Sequence, residues 1–339
     1  MRAIITVLSL CSISLALAAP ALAHHSAAAY DTQKQVKVTG TVVQYRYANP
    51  HVYLTLQIKK EDGTTSTMEV EAGAASVLNG LGFTKDSVKS GEVVTVVGNP
   101  ARSKPDAFVL GRELYKGDGS YVPLNIASRS IYESKTATAT SIAGTWFSPR
   151  TEFGAFLGGA GRWSLTEKGR GASAGADERT KNALKDCTPV GAPALMFYPV
   201  ATVITVARDR VVMNVDWMDS VRTIYLDGRA HPPATQTSLQ GHSLGRWDGK
   251  TLVVETTNFK DNPLGLSLSM PSSTQKKLTE RFAVSDDGKN LVYSGVLEDP
   301  VYLAKPVEWS GKLEYRPTMK PSNQKCNIEV ASKFLTAEK

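Results

Sequence analysis

The stretch VKVTGTVVQYRY, residues 36–47, decides the fold. Valine, threonine and tyrosine crowd it, and such side chains suit a pleated, half-buried surface better than a helix. HVYLTLQIKK follows at 51–60, a turn falls at Glu61-Asp62-Gly63, and TTSTMEVEA runs on to Ala72 in the same strand-like manner. AASVLNGLGF, 74–83, has short-helix character and ends at glycine. KSGEVVTVVGNPA (89–101) and AFVLGRELY (107–115) return to strands. Three strands, a helix and two strands is the element order of a small Greek-key barrel of the OB type.

Outward from that core, residues 116–141 lose periodicity and gain Gly, Ser and Thr. The expected organisation is a leader over 1–23, an OB-like domain over 24–118, a linker over 119–141 and a second β domain over 142–339. The second domain's candidate strands are RWSLTEKG (162–169), ATVITVARDRVVMNVDW (201–217), SVRTIYLDG (220–228), KTLVVETTNF (250–259), KKLTERFAVS (276–285), KNLVYSGVLED (289–299) and KLEYRP (312–317). Asp-Gly turns of the hairpin type join several of them. ADERTKNALKD, 176–186, is the one good helix candidate there. The fold class is therefore all-β, with the small barrel followed by a larger antiparallel barrel or sandwich.

The leader carries Arg2, an apolar run from Ile4 to Ala18, Pro20, and the small-x-small triplet Ala21-Leu22-Ala23. A membrane span needs about 20 apolar residues, so the run reads as a cleaved signal peptide, with no transmembrane anchor expected. The mature protein is expected to be soluble in the periplasm or secreted. Cys11 would leave with the leader, and in an oxidising compartment the remaining Cys187 and Cys326 favour a structural disulfide. The net charge of +7 is spread without a block of like charges, so nucleic acid is not an expected partner.

Cleavage after Ala23 would make His24 the first residue. An N-terminal histidine offers its α-amine and an imidazole nitrogen to one ion. His51, after Pro50 at the opening of the second strand, would supply a third nitrogen, a set suited to Cu(II), with zinc the alternative. His25 is a weaker candidate ligand. Ser26 occupies the third position, so the backbone-amide copper site that a histidine there would allow is absent.

His24-His25-Ser26, Tyr30-Asp31, Ala48-Asn49-Pro50-His51, the helix and Ser90-Gly91-Glu92-Val93-Val94-Thr95-Val96 together resemble an uncharacterised family of small exported bacterial proteins. The resemblance implies a domain of about the first hundred mature residues and implies no activity. His24 with the distant His51 is similar to the copper-binding arrangement of periplasmic copper-resistance proteins and lytic polysaccharide monooxygenases, at those two residues alone.

In the second domain, Asp227 and His231 lie in one turn region and His242 in another, with Arg222 on the preceding strand and Glu255 on the polar alternation of its own. If the turns converge, His231 or His242 could act as a general base, oriented by Asp227 or Glu255, with an arginine stabilising developing negative charge. GHSLGRWDGKTLVVETTNF, 241–259, is similar to a recurrent segment of uncharacterised exported bacterial proteins, and Gly144-x-Trp146 resembles the start of lipocalin-type barrels, whose interiors hold apolar ligands. The expected function is an exported binding protein with a copper or zinc site at the mature N-terminus. The alternatives are a barrel for a small apolar molecule, or a hydrolase or isomerase using His231, His242, Asp227 and Arg222.

Overall fold

The computed structural model describes residues 29–133, 137–174, 186–268 and 270–332. The stretch read as a leader, His24, His25 and most of the 176–186 helix candidate lie outside the described residues. The first sheet comprises β1 (Val36–Arg46), β2 (Tyr53–Lys59), β3 (Thr65–Glu71), β4 (Val93–Pro100), β5 (Phe108–Lys116) and β6 (Tyr121–Pro123), with α1 (Ala75–Gly80) between β3 and β4. β1 can serve two neighbours because it bends. Its first half pairs with β4, from Val36↔Gly98 to Thr41↔Val93, and its second with β2, with a register shift between Val42 and Gln44. Gly40 lies where β2 crosses closely, since a Cβ there would meet the Gln57 carbonyl at 2.7 Å. A parallel pairing of β3 with β5, Glu69↔Phe108 to Glu71↔Leu110, closes the barrel in the OB order. Inside lie Val42, Leu54, Leu56, Val70, Val96 and Leu114.

β6 pairs with β5, and Val122 and Leu124 are buried in this first core, so the stretch read as linker begins as part of the barrel. The second barrel follows: β7 (Gly144–Phe147), α2 (Arg150–Ala160), α3 (Glu167–Ala174), α4 (Ala194–Phe197), β8 (Ala201–Val206), β9 (Arg210–Val215), β10 (Ser220–Tyr225), β11 (His242–Asp248), β12 (Thr251–Thr257), β13 (Asn262–Ser267), β14 (Met270–Ser272), β15 (Lys277–Val284), β16 (Asn290–Glu298) and β17 (Val307–Tyr315), ending with α5 (Ile328–Ser332). Nine strands close in the order β10-β11-β12-β15-β16-β17-β7-β8-β9, while β13 and β14 form a separate ribbon. All the barrel's neighbours are antiparallel except β10 and β11, joined in parallel through Ile224↔Ser243 and Tyr225↔Leu244. Parallel neighbours need a crossover rather than a hairpin, and residues 226–241 supply it.

Two readings of this half are corrected. RWSLTEKG is not a strand: Leu165 makes an isolated bridge to Leu303, and Glu167 opens α3. Helices also occur well away from 176–186. α4 brings Leu195, Met196 and Phe197 into one buried cluster with Trp146, Met213, Ile224, Phe282 and Tyr293. These side chains form part of the second barrel's buried core.

Cys187 and Cys326 form a disulfide. The chain beyond β17 returns to the first barrel as a strap. Arg316 Nη1 donates to the Gly80 carbonyl at 2.8 Å, Val330 packs with Ala48 and Tyr53, and Cys326 bridges to Asn49. Asp216 holds the strap from the other side, accepting from Ser322 N at 2.7 Å.

Candidate functional site

The corner between β1 and β2 explains the Ala-Asn-Pro-His segment residue by residue. Asn49 is fully buried. Its Oδ1 accepts from Ser76 N (3.2 Å) and Ser76 Oγ (2.9 Å), satisfying the start of α1, which has no side-chain cap of its own. Its Nδ2 donates to the Gln324 carbonyl of the strap at 2.8 Å. Asn49 and Pro50, joined by a cis peptide, therefore fix the corner, and His51 is the residue the corner presents.

His51 is half-buried. Its Nδ1 lies 3.2 Å from the Ala72 carbonyl and 3.3 Å from Glu71 Oε1. A proton on Nδ1 can be donated to that carbonyl, which leaves the Nε2 lone pair as a ligand. Met68 and Val70 face the barrel interior, so Glu71 faces outward, yet it is only 1% exposed. The cover is Tyr30, 1% exposed, whose hydroxyl donates to Glu71 Oε2 at 3.2 Å. The Tyr53 hydroxyl covers Glu71 as well. Burial, then the Glu71 charge, pushes the Tyr30 phenol far above its ordinary range, so it remains a donor. The backbone fixes this docking: Asp31 N donates to Pro100 O and Arg102 N to Ala29 O, both at 2.9 Å.

Tyr30 and Glu71 were not among the sequence-derived site residues. Tyr30-Asp31 was legible as part of a motif but without a role, and strand alternation marks Glu71 as solvent-facing. Only the return of the N-terminal segment over β3 buries it. Among the described residues, no three histidine, cysteine, aspartate or glutamate side chains gather as a metal-binding group.

The second cluster lies where the crossover 226–241 meets β11. His231 Nδ1 and His242 Nδ1 are 3.0 Å apart, a contact in which one ring donates and the other accepts. The His242 ring also stacks on Tyr225, centroids 5.1 Å apart. Burial first, then the charges of His231 and Arg229, pushes His242 below its ordinary value. His231 Nε2 lies 3.7 Å from Glu255 Oε1, and Glu255 is held by Lys277 Nζ at 2.8 Å, a bond that lowers its carboxyl. Asp227 orients neither histidine. Its Oδ1 accepts from Arg229 Nε at 2.9 Å, and that pairing brings its carboxyl down to about 2.

Arg222 is not part of this cluster. It is 2% exposed inside the barrel and makes a bidentate pair with Glu280, with Nη1 to Oε1 at 2.8 Å. Thr256 Oγ1 (2.7 Å) and Ser243 Oγ (3.2 Å) take further donors, and Tyr293 donates to Glu280 at 2.7 Å. His242 and Ser243 are successive residues of β11 and so lie on opposite faces, which separates the histidines from the arginine.

Residues 13–107 match a family of unknown function (DUF6152). The matched stretch contains both histidine motifs, Tyr30 and Glu71, and ends just before β5. No curated protein matches the chain at a significant level. No helix among the described residues is long and apolar enough to cross a membrane.

Proposed function

We propose that this is an exported binding protein for a transition-metal ion, copper with zinc as the alternative. The ion is held by the α-amine and imidazole of His24, exposed by cleavage after Ala23, together with His51 Nε2. The supporting observation is the docking of Tyr30 on the Glu71 carboxylate, whose other oxygen faces His51 Nδ1. It ties the incoming chain to the His51 corner. His24 is five residues before Ala29, a separation that spans at most about 18 Å when extended. His51 also carries the mark of a ligating imidazole: its other nitrogen faces a backbone carbonyl and a carboxylate, the partners that set tautomer and basicity in metal-bound histidines. In this reading Glu71 orients His51 and stabilises the charge that binding draws onto the ring. His25 is a reserve ligand at most.

The test is copper titration of protein exported through its own leader, after N-terminal sequencing. One ion per chain with a terminus at His24 is expected. His51→Ala should remove tight binding, and Glu71→Gln should weaken it by about 10–100-fold, the usual effect of losing such a supporting group. Unchanged affinity in His51→Ala would discard the site.

The contact between His231 and His242 favours a second reading, acid–base chemistry at that pair with Glu255 as orienter. Equal hydrolysis of a panel of activated esters by the folded parent and His242→Ala would discard it.

A further inference from the structure

A cleft of about 170 Å³ opens between α2 and β17. Four aromatic side chains line it: Phe156 of α2, Trp163 beyond it, Phe197 of α4 and Trp309 of β17. Phe156 stacks on Phe197, centroids 4.8 Å apart, and meets Trp163 edge-on at 5.9 Å. Glu152, in the first turn of α2, reaches over β17, where a Cβ on Gly311 would come within 2.8 Å of its Oε2. Trp309 lies across Gly295, where an added Cβ would be 2.8 Å from its ring. Glycine at both positions makes room for the groups that line the cleft.

Two carboxylates, Glu152 and Glu308, line the cleft, and neither has a side-chain partner among the described residues. Trp309 Nε1 is buried without a hydrogen bond, and among the described residues the Glu152 carboxylate makes neither a hydrogen bond nor an ion pair. No lysine, arginine or histidine lines the cleft. A purely apolar guest would desolvate Glu152 with no return, and an anion would be repelled by it. A cation without N–H groups suits the site, because aromatic faces attract such a charge without needing to satisfy donors.

We infer that this cleft binds a small quaternary-ammonium alcohol of the choline class: the trimethylammonium group against the aromatic rings and Glu152, the hydroxyl oxygen accepting from Trp309 Nε1. The cleft lies below the roughly 300–1,000 Å³ of drug-sized pockets, so it suits a small guest. This site is independent of the histidine corner and of any metal there.

The experiment is calorimetric titration of the full exported chain at low ionic strength with choline, tetramethylammonium and the uncharged tert-butyl analogue of choline. Saturable binding of choline at one per chain is expected, with no binding of the uncharged analogue. Glu152→Gln should weaken choline by about two- to fivefold, the range of a partly exposed ion pair, with Glu308 still lining the cleft. Trp309→Phe keeps a ring and removes the N–H, so it should weaken choline while leaving tetramethylammonium unchanged. No saturable binding below about 10 mM, equal binding of the uncharged analogue, or full affinity in a folded Glu152→Gln would each overturn the inference. The ligand comparison uses the parent protein alone, so it stands apart from the folding of either variant.

Discussion

In the first barrel the interior is Val42, Leu54, Leu56, Val70, Val96 and Leu114, and the buried carboxylate, Glu71, sits on the outer face of β3 beneath Tyr30. In the second, Arg222 and Glu280 meet inside the strand wall, among aromatic side chains. The difference is one of enclosure. Each donor nitrogen of Arg222 has an acceptor and Glu280 accepts from Tyr293 as well, so that network is closed to any solute and fixes which strand faces which. Glu71 is covered by the Tyr30 and Tyr53 hydroxyls and lies beside a histidine that is still partly exposed. One buried charge is enclosed within the strand wall, and the other sits at a rim beside a histidine that solvent reaches.

The largest test of this contrast is Glu280→Ala, which leaves Arg222 charged and unpaired in the core. The second barrel should lose about 3–5 kcal/mol in chemical denaturation. The double variant Arg222→Met/Glu280→Leu should recover most of that loss, because apolar residues of similar volume remove the desolvation cost along with the pair. If the single variant costs nothing, the network is not closed in the sense argued here.

A smaller effect is expected from reducing the Cys187–Cys326 disulfide, about 2–4 kcal/mol. Cys326 bridges to Asn49, so reduction should also weaken the metal binding proposed at His51. Unchanged metal affinity in the reduced, folded protein would show that the first barrel holds its corner without the strap.

The finest test concerns Lys276, fully buried beneath β13, with Nζ donating to the carbonyls of Ala192 and Gly265 (2.5 Å to the latter). Burial brings its pKa from 10.5 down to about 7. Between those values the unfolded chain binds more protons than the folded one, so stability rises with pH across that window and falls again as pH returns toward 7. Lys276→Met should remove that slope, measured by denaturation at a series of pH values. The first barrel, with no buried lysine among its described residues, should show no matching slope.

Much of the first barrel was legible because its chemistry is local. Strand by strand, 36–115 reads from β-branched residues, one short helix and a Gly63 turn with φ +83°. The second barrel was legible in its hairpins and illegible where contacts are distant. RWSLTEKG looks like a strand by composition, but Thr166 N bonds to Tyr302 O and Gly169 packs against that same carbonyl, so the segment turns into α3. α2 was missed because its sequence, RTEFGAFLGGA, is rich in glycine, a poor helix former, and packing by Phe153 and Phe156 overrides that preference. The parallel junction of β10 and β11 leaves no mark in either strand.

The sites divide in the same way. His51, His231 and His242 stand out in the sequence because histidines are few and sit beside turns, and the contact of the last two follows from the crossover between neighbouring strands. Arg222 stands out equally and was misplaced, since alternation separates it from His242 only once the register of β10 against β11 is known. Sequence alone determined the all-β class, the OB element order and the cysteines available to pair, because these depend on local geometry and on a count. Only the tertiary structure decided that Asn49 is a clasp, that Glu71 is buried and that Glu152 and Trp309 share a cleft. Burial and unpaired polar atoms belong to surfaces formed by residues far apart in the chain.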